Sequence, residues 1–149
     1  MSDRFTLRSA VYLILKKDGQ ILLSRRFNTG WIDGQYSLPS GHLEENEKLT
    51  DALVREAKEE IGISLNLDDI KMEHVFLRKS TADHAEYIDF FFTASKWEGD
   101  ITNNEPDKCD DLKWFPKNNL PDNAWAHIKF IIEQIKKGNH FSEVGWSDK

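Results

Sequence analysis

The stretch that decides the reading is Gly41-His42-Leu43-Glu44-Glu45-Asn46-Glu47-Lys48-Leu49-Thr50-Asp51-Ala52-Leu53-Val54-Arg55-Glu56-Ala57-Lys58-Glu59-Glu60-Ile61-Gly62-Ile63. Gly41 to Glu47 is polar and acidic and reads as a loop. Lys48 to Ile61 contains neither Gly nor Pro and reads as a helix, with Asn46 as its N-cap and Gly62 as its C-terminal glycine. At about 100° per residue, Leu49, Ala52, Leu53, Ala57 and Ile61 form one apolar stripe, and Asp51, Arg55 and Lys58 fall away from it. Glu56 and Glu60 break the pattern. They land inside the apolar sector, with Glu59 on its shoulder.

Carboxylates spaced i, i+3 and i+4 on a helix share a face and repel one another. Burying them unpaired costs several kcal/mol. Either the helix rolls so that all three form a solvated edge, or a hard divalent cation holds them together. Oxygen-only ligands suit Mg²⁺ or Mn²⁺ and not zinc. Mg²⁺ commonly takes its remaining ligands from substrate phosphates, so the helix points to metal-assisted phosphate chemistry.

Outward from the helix, the chain reads as strands and turns. Leu7 to Leu15 and Ile21 to Arg26 flank Lys17-Asp18-Gly19 and read as a hairpin. Phe27 to Gln35 reads as a loop, and Tyr36 to Leu38 as a short strand ending at Pro39. Met72 to Lys79 and Tyr87 to Ala94 read as two more strands. The second is apolar on both faces except for Asp89, which predicts a central position. Glu98 to Asp110 reads as an acidic loop, Asp111 to Phe115 as a short strand, and Ala124 to Lys137 as a last amphipathic helix. Hairpins mixed with helices predict an α+β fold with a mixed sheet, not a doubly wound nucleotide fold.

Composition bounds the function. The 149 residues, 39% hydrophobic and 31% charged, predict one globular domain over residues 1–149. A net charge of −6 argues against a nucleic-acid partner, which needs a basic face. No apolar run approaches the ~20 residues of a membrane span. The start, Met1-Ser2-Asp3-Arg4-Phe5, lacks the basic and apolar regions of a leader. A lone Cys109 excludes an internal disulfide and a cysteine-rich zinc site, and the expected setting is cytoplasmic.

Gly41, five residues, Glu47, seven residues and then Arg55-Glu56-Ala57-Lys58-Glu59-Glu60-Ile61-Gly62-Ile63 resembles the Nudix box in full. The flanking elements follow the order of the Nudix fold. That resemblance implies a mixed β-sheet sandwiched between α-helices, and hydrolysis of a nucleoside diphosphate linked to another moiety with Mg²⁺ or Mn²⁺. It implies Glu56, Glu59 and Glu60 as metal ligands, joined by the main-chain carbonyl of Ser40, where family members more often carry Gly. It implies supporting roles for Gly41, Glu47 and Gly62. Arg55 is assigned to the catalytic apparatus through a pairing with Glu47 that would fix the loop against the helix. Many relatives form homodimers.

The general base differs between family members. Here it is a box glutamate, Glu59 or Glu60, or a residue of the acidic loop, where the spacing from Trp97-Glu98-Gly99 to Glu105 resembles MutT-type members and favours Glu105. For a nucleotide-derived substrate, Arg25 and Arg26 are candidates for phosphate contact, or else a solvated strand end. Phe27, Trp31 and Tyr36 are candidates for stacking on a base, or else ordinary packing. Asn123 resembles the base-reading asparagine of MutT-type members, and an N-cap of the last helix accounts for it equally. Pro106 and Pro116 lie farther beyond the box than the proline that marks ADP-ribose hydrolases. A catalytically silent member of the family is the alternative. An isopentenyl-diphosphate isomerase is disfavoured, because Cys109 lies in the wrong region.

Overall fold

A computed structural model of the chain describes residues 3–147; Met1 and Ser2, from the stretch read as leaderless, lie outside the described residues, as do Asp148 and Lys149. Its elements in chain order are β1 (Arg8–Lys17), β2 (Gln20–Arg26), β3 (Tyr36–Ser37), β4 (Ser40–His42), α1 (Leu49–Ile61), β5 (Lys71–Lys79), β6 (Glu86–Ala94), β7 (Cys109–Pro116), α2 (Ala126–Lys136) and β8 (Phe141–Val144). A 3-10 turn, Leu67–Asp69, separates α1 from β5.

Strands β3-β2-β1-β6-β5-β8 run side by side, with β4 paired to β1 and β7 to β2. Pairings β1–β6 and β5–β8 are parallel and the others antiparallel, so the sheet is mixed. Successive residues of a strand face opposite sides, and β1 supplies both cores in this way. Val11, Leu13 and Leu15 pack with Leu53, Ala57 and Ile61 of α1, while Tyr12 and Ile14 pack with Ile128 and Ile131 of α2. One helix therefore covers each face, and β6 takes the central place that its apolar run predicted. Among the described residues no helix is long and apolar enough to cross a membrane.

Four local expectations are corrected. Asn46 is not the N-cap: it adopts φ 64°, and Lys48 caps α1 without a side-chain hydrogen bond. Gly41 and His42 are not loop residues but form β4, held to Val11 and Ala10 of β1. Helix α2 starts at Ala126, because Ala124 is drawn into a bridge with Tyr36. Strand β8 was not foreseen. It is pinned to β5 by His74, whose Nδ1 meets the Asn139 carbonyl at 2.8 Å and whose Nε2 meets Ser142 Oγ at 2.9 Å.

His127 packs on α2 against Trp125 and Phe76, with ring centroids 4.6 and 5.2 Å away, and its buried Nδ1 has no hydrogen-bond partner among the described residues. Burial, then the nearby Arg78 charge, pushes its pKa down to about 4. Below about pH 6.5 the unfolded chain takes up a proton that the folded chain refuses. Stability is therefore lost as pH falls from there toward 4. We expect calorimetric melts at pH 7 and pH 4.5 to differ less for His127→Phe than for the wild type; an equal difference would show that His127 does not carry this pH dependence.

Candidate active site

Helix α1 lies against β1 through its apolar stripe, which carries Glu56 and Glu60 inward with it. A cleft of about 640 Å³ opens beside them. Its walls include Ser40, Gly41, Arg55, Glu56, Glu59 and Glu60 on one side, and Tyr12, Arg26, Trp31, Arg78 and Tyr87 on another. Gly41 is required there. A Cβ at that position would overlap the Glu56 carboxyl group. We expect Gly41→Ala to keep the fold by swinging the flexible Glu56 side chain away, and to lower kcat by about 10²-fold through that misplacement; an unchanged kcat with an unchanged melt would contradict it.

The carboxylates are held by specific donors. Glu60 Oε2 accepts from the Ser40 N–H at 3.0 Å. Arg55 Nη1 reaches Glu56 Oε1 at 2.7 Å and Glu59 Oε2 at 3.3 Å, while its Nε and Nη2 take the two oxygens of Glu47 at 2.8 and 3.1 Å. The Glu47–Arg55 pair thus spans loop and helix. The Arg55 hydrogen bond, followed by the Glu44 N–H, lowers the Glu47 pKa. Burial raises Glu60 well above the usual carboxylate range, with Glu56 and Glu105 adding to the rise and Ser40 and Arg26 opposing it. Burial also raises Glu56, against the pull of Arg55. Among the described residues no three His, Cys, Asp or Glu side chains are grouped so that they could hold an ion as they stand; Glu56 is turned to Arg55 and Glu60 to the Ser40 N–H. The donor chemistry still fits a hard dication: the oxygens are anionic, crowded and partly desolvated. Ser40 has a negative φ, so serine fits where glycine is commoner.

Glu105 reaches the site because its loop caps α1. The last carbonyls of a helix lack partners within it. Here Ile61 O accepts from Thr102 N and Glu60 O from Asn104 N, both at 3.0 Å. Gly62 turns beneath this loop at φ 74°, where a Cβ would sit 2.7 Å from Thr102 Oγ1. The Glu105 carboxylate lines the cleft and raises the proton affinity of both Glu56 and Glu60.

The other residues singled out from the sequence divide. Arg26 and Trp31 line the cleft; Arg25, Phe27, Tyr36 and Asn123 do not. Arg25 is paired with Asp110 at 2.7 Å. Tyr36 is buried, packs against Phe115 and hydrogen-bonds to Asp111. Asn123 donates to the Gly34 carbonyl at 3.0 Å and does not cap α2. Phe27 is exposed on the loop outside the cleft. Sequence reasoning missed Tyr12, Arg78 and Tyr87. Its one available signal was Asp89, a charge inside an apolar strand that requires a buried partner. That partner is Arg78, whose Nε lies 2.6 Å from Asp89 Oδ2.

A mixed sheet between two helices thus carries a cluster of carboxylates beside one cleft. The NUDIX domain family model matches residues 5–134, and the chain belongs to the Nudix family. It is 32% identical over 133 residues to the ADP-ribose pyrophosphatase of Methanocaldococcus jannaschii, covering 87% of this chain and 74% of that protein. It is 29% identical over 110 residues to the 8-oxo-dGTP diphosphatase of Proteus vulgaris, covering 68% and 88%. The crystal structure of a MutT Nudix hydrolase from Burkholderia pseudomallei matches with a TM-score of 0.80 at 26% identity, covering 87% of this chain and 98% of that one.

Proposed function

We propose that the protein hydrolyses the phosphoanhydride bond of a nucleoside diphosphate linked to a further moiety, with Mg²⁺ held by Glu56, Glu59, Glu60 and the Ser40 carbonyl. One observation carries this reading: the α1 carboxylates and Glu105 share one cleft with Arg26, a cation that no carboxylate pairs among the described residues. When bound, the ion neutralises charge on the diphosphate oxygens. Arg26 binds a phosphate, and Trp31 offers a stacking surface for the base. Glu105 accepts the proton of the attacking water. Its carboxylate faces the cleft free of any hydrogen bond among the described residues, whereas Glu56, Glu59 and Glu60 are each engaged. Arg55 acts as a positioning residue, fixing Glu56 against the Glu47 loop.

Glu105→Gln is expected to lower kcat by roughly 10²-fold or more with the melting temperature unchanged. An unchanged rate would return the base to Glu59 or Glu60. The relatives named for ADP-ribose and for 8-oxo-dGTP share a nucleoside diphosphate portion, and that portion is what we assign. The test is chromatographic product analysis with nucleoside triphosphates, oxidised nucleotides, ADP-ribose and nucleotide sugars in Mg²⁺ or Mn²⁺. Cleavage of at least one between phosphorus atoms supports the reading. Failure on all of them, with the metal bound, would favour a silent, nucleotide-binding protein.

A further inference from the structure

Arg78 and Asp89 form a buried ion pair that the hydrolytic chemistry does not use. The Arg78 side chain is 7% exposed and that of Asp89 0%, and Asp89 Oδ1 has no hydrogen-bond partner among the described residues. Such a pair contributes little net stability, because desolvation offsets its attraction. Yet this one is tightly fixed. The Arg78 Cζ lies 4.0 Å from the Tyr87 ring centroid, 5.3 Å from Trp125 and 5.9 Å from Trp31. The small exposed part of Arg78 faces the cleft that holds the carboxylates. It stands on the α2 face of the sheet with Tyr12 and Trp125, whereas the carboxylates come from α1 on the other face. Arg26, stacked on Trp31 at 4.8 Å, lines the same cleft.

Chemistry selects what Arg78 would bind. Asp89 neutralises its charge, so it suits an uncharged acceptor, and the phosphates fall to Arg26. A guanidinium only donates, and with Nε committed to Asp89 its terminal nitrogens, which neighbour the Tyr12 hydroxyl, are the donors it offers the cleft. A 6-oxopurine presents O6 and N7 as adjacent acceptors, whereas adenine presents a donor at N6 beside N7. We infer that Arg78, fixed by Asp89 and its aromatic surround, reads the O6/N7 edge of a 6-oxopurine base and makes the cleft select guanine and hypoxanthine nucleotides over adenine ones. This rests on the nucleotide reading of the cleft, but not on turnover.

The test is calorimetric titration of the full chain with GMP, IMP and AMP, which contain no anhydride to cleave. GMP and IMP are expected to bind about tenfold tighter than AMP. The paired variant Arg78→Gln with Asp89→Asn keeps a hydrogen-bonded neutral pair, and a glutamine amide matches the adenine edge. In that variant, shown folded by its melting curve, the preference should vanish or reverse. Equal binding by the wild type, no binding of GMP or IMP, or a preference that survives in the variant overturns the inference. Loss of turnover on the substrate panel with this preference intact would instead count against the hydrolytic reading alone.

Discussion

Replacing Glu60 by Gln is expected to lower hydrolysis by roughly 10²–10⁴-fold at saturating Mg²⁺ while leaving the protein as stable as the wild type or more so. The two halves of this expectation have one cause. Glu60 is a carboxylate desolvated against β4, repelled by Glu56 and Glu105, and stabilised chiefly by the Ser40 N–H. Gln removes the charge yet keeps an oxygen for that N–H. The fold loses a repulsion, and the site loses an anionic ligand. A melting curve measured beside the kinetics separates this from unfolding. Wild-type turnover by the variant would sink the assignment, and a collapsed melting temperature would show Glu60 to be structural.

The second large effect is on stability. Arg78→Ala leaves Asp89 fully buried without its partner, and breaking a buried pair in this way costs about 3–5 kcal/mol. For a chain of this size that lowers the melting temperature by roughly 10 °C. The effect is not a general property of the position. Replacing both residues together, as Arg78→Met with Asp89→Leu, removes the charge and its counter-charge and should recover most of the loss. Thermal melts of the two variants decide it. A single variant as stable as the wild type would mean that Asp89 is already neutral in the fold.

What helical periodicity alone made legible is the part of the candidate site carried by α1. Helical geometry alone put Glu56 and Glu60 among Leu49, Ala52 and Leu53, because position on a helix follows from spacing. Glu47 and Arg55, eight residues apart, were legible from the resemblance to the box and not from helical spacing. What depends on strand register was not. Arg25 and Arg26 are neighbours, and a bulge falls between them in the pairing with β7. As neighbours on one strand they part, Arg26 lining the cleft and Arg25 pairing with Asp110. Asp89 stood out in its strand, but its partner was hidden, because Arg78 aligns with Tyr87 and Asp89 with Phe76, so the pair is diagonal. Strand β8 carries no pattern of its own and forms where His74 and β5 receive it. Asn46 was misread because its left-handed turn conformation places the true cap two residues later.

Hydrolysis as proposed runs on an ion held by the α1 carboxylates. Titration with Mn²⁺ followed by electron paramagnetic resonance, comparing the wild type with Glu56→Gln/Glu60→Gln, tests it most directly. Saturable binding is expected for the wild type and is expected to be lost in the double variant while its melting curve is kept. Equal Mn²⁺ binding by both proteins would contradict it.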